Sequence, residues 1–112
     1  MDKPHVEPYM DAVDYTYGYR VSKNVGLVGM AYTVDFAQDT VRNMGKILSQ
    51  YDRNIWVIGG TYSNMKSGYW SDWRRPTHAW MSADLQSFGG YGSSFGWMKF
   101  YVNGQSYWID WQ

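Results

Sequence analysis

Asn103-Gly104 stands between two stretches in which apolar and polar residues alternate, residues 97–102 and 105–111. Period-two alternation marks a strand with one buried face. Asn-Gly between two such strands is the preferred two-residue type I′ turn, because both central residues must take positive φ. With a two-residue loop, Val102 sits opposite Gln105, Phe100 opposite Tyr107 and Met98 opposite Ile109, which makes one face apolar. The other face pairs Tyr101 with Ser106, Lys99 with Trp108 and Trp97 with Asp110. If the first face enters a core, the second is left for a ligand or a subunit contact.

The same period appears earlier. Val13, Tyr15, Tyr17, Tyr19 and Val21 alternate with Asp14, Thr16, Gly18 and Arg20, which reads as a half-buried strand ending in a turn at 22–24. Residues 26–36 form a second strand, with Val28, Met30, Tyr32, Val34 and Phe36 on one side and small residues opposite. Residues 54–58 and 78–85 are further strands. Between them lie Gly59-Gly60 and a polar segment, 63–77, expected to be a loop; 88–96 reads as a flexible Gly/Ser turn. In 37–51, Val41, Met44, Leu48 and Tyr51 fall at helical spacing, with Asp35 or Asp39 as a cap, and this predicts one short helix. Residues 1–10, with Pro4 and Pro8, read as an extended linker or tail preceding one domain at 11–112. The expectation is a mainly β, antiparallel architecture.

With ten basic and ten acidic residues the formal charge is zero, which argues against nucleic-acid binding by phosphate neutralisation and against a polybasic membrane contact. No cysteine is present, so a disulfide scaffold, a thiolate nucleophile and a Cys-ligated zinc are excluded. The opening residues carry no apolar run of the signal-peptide kind.

Catalytic constellations do not emerge. His5 and His78 are far apart in sequence, and Glu7 is the one glutamate. The Asp residues, Asp35, Asp72, Asp84 and Asp110 among them, show no spacing that marks a carboxylate pair. No metal ligand set and no cofactor motif is legible.

Eleven Tyr and seven Trp against four Phe and three Leu is more amphipathic ring than a core requires. Such side chains suit half-wet surfaces that contact a partner. Two groups are the candidate ligand-binding residues: the segment Tyr69, Trp70, Asp72, Trp73 and Arg74, and the hairpin face of Trp97, Lys99, Tyr101, Trp108 and Asp110. Rings would stack on pyranose C–H faces while charged groups take hydroxyls or phosphates. The competing reading folds the 69–75 segment back as a plug on the sheet.

The run 78–85, His-Ala-Trp-Met-Ser-Ala-Asp-Leu, resembles the closing strand of bacterial SH3-type domains, with Ala79 at the Gly place and Met81 at the Val place. Thr40-Val41-Arg42-Asn43 is similar to the family's Asn-Val-Arg stretch, which would make it strand rather than helix, and Asn54-Ile55-Trp56-Val57 resembles its central strand. Gly96-Trp97-Met98-Lys99 and Tyr107-Trp108-Ile109-Asp110 look like a further hairpin of this kind. Together they resemble a C-terminal SH3-like cell-wall-binding domain of a phage endolysin of the amidase type, from an enterococcal or related Gram-positive host; the 63–77 insertion and the first 40 residues depart from a minimal domain.

That resemblance implies a non-catalytic targeting module, with peptidoglycan or an attached wall polymer as ligand. It also implies assembly with the full-length lytic enzyme or with copies of itself, up to a tetramer. The module would be made in the infected host's cytoplasm without a signal peptide and act at the cell wall. The alternatives are a small phage interaction module that inhibits a host protein complex, and a small hydrolase using Asp and His.

Overall fold

The computed structural model describes residues 12–87 and 93–112. The expected tail at 1–10 and most of the expected turn at 88–96 lie outside them. The described residues form seven strands: β1 Val13–Val25, β2 Val28–Asp39, β3 Met44–Val57, β4 Gly60–Tyr69, β5 Thr77–Ser87, β6 Ser93–Val102 and β7 Tyr107–Trp111. They make two antiparallel sheets, β1-β2-β3 and β4-β5-β6-β7, each a meander in sequence order. The mainly β, antiparallel expectation therefore holds.

The sheets pack face to face. Val21, Tyr32, Val34, Phe36, Ile47 and Ile55 come from the first sheet, and Ala79, Met81, Met98, Phe100 and Val102 from the second. The even-numbered face of β2 is thus the core face, as its alternation predicts. Tyr19, Phe36, Phe100 and Tyr107 join the sheets in one ring cluster, with Tyr19 5.3 Å from Phe100 and 5.1 Å from Tyr107. The buried Tyr32 hydroxyl reaches the opposite sheet, 3.3 Å from the carbonyl oxygens of Ala79 and Met98. Burial pushes its ionisation well above the ordinary tyrosine value.

Strand β1 does not present one continuous stripe. A bulge lies between Thr16 and Tyr19, with Gly18 at φ 72°. One extra residue reverses which side faces the core. Tyr19 and Val21 pack inward, while Tyr15 and Tyr17 are exposed and stacked on each other, centroids 6.2 Å apart. The bulge is held by Asp35, whose carboxylate accepts from Gly18 N, Ser49 Oγ and Tyr51 OH, each at 2.8 Å. Desolvation would raise this carboxyl, but the three donors outweigh it and hold it below the usual carboxylate value. The turn expected at 22–24 falls instead at Gly26-Leu27, where Gly26 has φ 63°.

Residues 37–51 are not a helix. They finish β2, turn at 40–43 and begin β3, so 40–43 is neither helix nor the strand that the family pattern implies. Asp39 does cap, but it caps a turn: its Oδ1 accepts from Val41 N and Arg42 N at 3.1 and 3.0 Å. Asn43, at φ 56°, reverses the chain, and Ile47 pairs with Phe36 to enter the core. The helical spacing lost to pairing with β2, in which 37–39 lie opposite 44–46.

Nor is 63–77 all loop. Its first part belongs to β4, whose polar composition fits an edge strand with much of its surface in solvent.

The C-terminal hairpin is a hairpin, but its register is shifted by two. Val102 pairs with Tyr107, Phe100 with Ile109 and Met98 with Trp111. Asn103 has no positive φ; its Oδ1 instead accepts from Gln105 N, Ser106 N and Ser106 Oγ, closing a four-residue turn. A shift of two preserves the faces, so the outward set is the expected one while its pairings change.

Candidate functional site

The outer face of the four-stranded sheet is built in rows fixed by register. One row runs Trp70, His78, Tyr101, Trp108. Trp70 N donates to His78 O at 3.1 Å, His78 pairs with Tyr101, and Tyr101 with Trp108. The rings touch in that order. Trp70 and His78 centroids are 6.4 Å apart, His78 and Tyr101 5.3 Å, and Tyr101 and Trp108 5.4 Å with planes within 16°. The Arg74 guanidinium caps the row, 4.0 Å over the Trp70 ring, and is held on its other side by Asp72 at 3.3 Å. The outer ends of the row, Trp70 and Trp108, are 45% and 42% exposed, so ring surface is open at both.

The next row is Gly68, Trp80, Lys99, Asp110. Trp80 lies across Gly68, where a Cβ would come within 3.0 Å of its ring. A flat ring over a bare backbone shields an otherwise weak edge position. Lys99 stands 5.1 Å from the centre of the Trp97 ring, and Trp97 Nε1 donates to Gln112 Oε1 at 3.2 Å in the third row. The first two rows thus combine apolar faces with a cation, an anion and imidazole nitrogens.

His78 sits in the middle of this face. Its partial burial, followed by the nearby positive charges of Lys99 and Arg74, lowers its pKa below the ordinary histidine value.

Of the residues singled out from sequence, Trp70, Asp72, Arg74, Trp97, Lys99, Tyr101, Trp108 and Asp110 come to this face or its rim. Two do not. Tyr69 pairs with Ala79, a core residue, and so lies on the opposite side of the sheet. Trp73 turns toward β3, its ring 5.9 Å from Lys46 Nζ. The segment 70–76 is tied to the β2–β3 turn and the start of β3. Gly45 and Arg74 exchange backbone hydrogen bonds of 2.8 and 2.9 Å, and Arg75 Nε donates to Asn43 O at 3.2 Å.

His78 and Trp80 belong to the face and were missed. The signal was present: Ala79, Met81, Ala83 and Leu85 form the buried parity of β5, which leaves His78 and Trp80 outside. Among the described residues no group of three His, Asp or Glu side chains is placed to hold a metal ion.

No family model matches the chain. No curated protein matches it either. Among solved structures it is similar to a hypothetical protein of Listeria monocytogenes EGD-e, with a TM-score of 0.67 and 14% identity over 90% of this chain and 67% of that one. At that identity the likeness concerns the fold.

Proposed function

We propose that this chain is a non-catalytic binding module for the wall glycan of Gram-positive bacteria, serving as the targeting part of a phage lytic enzyme. The observation that carries the reading is the row Trp70–His78–Tyr101–Trp108, a chain of contacting rings whose planes meet at 65°, 43° and 16°, with partly exposed rings at both ends. Flat rings offer apolar faces to sugar C–H groups. Arg74, Lys99 and Asp110 beside them offer charge and hydrogen bonds to hydroxyl, carboxylate or phosphate groups of the same polymer. Zero formal charge suits a ligand recognised by stacking more than by bulk attraction. The SH3-type sequence resemblance supplies the wall and the lytic parent enzyme; full-length enzyme or further copies of the chain would be its assembly partners.

The test is co-sedimentation of the labelled chain with purified walls from a panel of Gram-positive strains. Saturable binding to some walls is expected, lost on removal of the wall polymer or glycan that the strain carries. If the chain leaves every wall preparation unbound, the reading fails.

A further inference from the structure

The two ends of the sandwich are finished differently. At one end the β2–β3 turn, the 70–76 segment and the β6–β7 turn are tied together. Gln38 Nε2 donates to Asn103 O at 3.0 Å, Arg74 is bridged to Gly45, and Gly104 is pressed against the backbone of Asp39 and Asn43. That end is sealed.

Among the described residues the other end has no such ties. Between β1–β2 on one side and β5–β7 on the other lies a cleft of about 360 Å³, within the range of small-ligand pockets. Val28, Met30, Leu85 and Met98 line it. Its rim carries Val25, Phe95 and Trp111, which are 53%, 57% and 43% exposed. Large exposed apolar side chains gathered around one concavity are a recognition feature rather than scatter. Lys23 is the one charged side chain among the lining residues. It occupies a core-facing register position opposite Met30, and its ammonium rests 3.7 Å from the centre of the Trp111 ring.

We propose that this cleft binds a single-chain anionic amphiphile, with the alkyl part between the sheets and the anionic head on Lys23. The lining chemistry selects each half of the ligand. Methionine, leucine and valine side chains offer dispersion contact and no hydrogen bond to compete for, so an alkyl chain fits. The one charged side chain of the lining is a cation at the mouth, resting on an aromatic face, and an anionic head gives it a stronger contact than a neutral one. This site is separate from the ring row, which uses the outer face of the four-stranded sheet.

The experiment titrates the full chain with 11-bromoundecanoate below its micelle threshold and follows tryptophan quenching, since the Trp111 ring stands at the rim of the cleft. Saturable quenching is expected, reversed by decanoate and not by decyl maltoside at the same concentration. Lys23→Gln should weaken decanoate binding about tenfold. Val25→Asp, a change at an exposed rim position, should abolish it with an unchanged circular dichroism spectrum. A Trp70→Ala/Trp108→Ala variant should bind decanoate as the unmodified chain does, which separates this site from the wall-binding face. The proposal is overturned by non-saturable quenching, by equal competition from decyl maltoside, or by unaltered affinity in Lys23→Gln.

Discussion

Trp108 lies almost parallel to Tyr101, its partner across the β6–β7 pairing, with ring centres 5.4 Å apart. His78 and Trp70 continue the row with tilted and edge-on contacts, at 43° and 65°, so the outer face of the sheet offers aromatic surface longer than any one side chain. Replacing Trp70 and Trp108 together by Ala removes both exposed ends. At about 1 kcal/mol per stacked ring, wall affinity should fall about thirtyfold. Both rings are substantially exposed, so the thermal midpoint should move little; co-sedimentation and calorimetry on the same sample check the two halves of this expectation.

His78 gives the fold a pH dependence of definite sign. Its pKa is depressed in the folded chain by burial and by Lys99 and Arg74, so the folded state resists a proton that the unfolded chain accepts near about pH 6.5. The contribution of neutral His78 is complete above that value and is lost as pH falls toward the depressed one. The midpoint gap between the unmodified chain and His78→Gln should therefore shrink between about pH 7.5 and about pH 5.5. A constant gap would contradict the assignment. Asp35 acts in the same direction at lower pH, because its carboxyl is held below its usual value and its three hydrogen bonds are lost only on protonation.

Tyr32 tests how the two sheets are joined. Tyr32→Phe keeps the ring and removes the hydroxyl that reaches Ala79 and Met98, which should cost about 1 kcal/mol in denaturant unfolding. Tyr32→Ala also opens a cavity at a fully buried position and should cost about 3–5 kcal/mol.

Gly104 tests the sealed end. A methyl group there meets the backbone of Asp39 and Asn43, which cannot swing away as a side-chain tip can. Gly104→Ala should destabilise by about 1–3 kcal/mol and lower the midpoint by several degrees. An unchanged midpoint would mean that the turn is not pressed on its neighbour.

Alternation was enough to place the core face of β2 and to separate inward from outward residues of β6 and β7, because side-chain parity along a strand survives even a two-residue error in the hairpin. Turn chemistry was less legible. Asn-Gly suggested a tight turn, yet Asn103 uses its side chain to close a wider one, and only the neighbouring 39–43 backbone requires Gly104 to be bare. The helix expected in 37–51 failed because spacing within a segment carries no information about the strand it will lie beside. The outward face was half read. Trp97, Lys99, Tyr101 and Trp108 follow from hairpin parity, whereas His78 joins them through the pairing of β5 with β6, a contact between residues 23 apart. Trp73 was grouped with Trp70 by proximity in sequence, and the anchoring of Arg74 to Gly45 sends the two rings to different places.

The irregularity at Gly18 also bears on how copies of this chain can meet. Among the described residues strand β1 is a margin of its sheet, and a straight margin with spare N–H and C=O groups is a template on which another molecule can add its own strand. Here the margin is bent, and the Gly18 amide is already engaged by Asp35. Strand addition along that side is opposed at the bulge, so copies of this chain that paired backbone to backbone would do so at another margin.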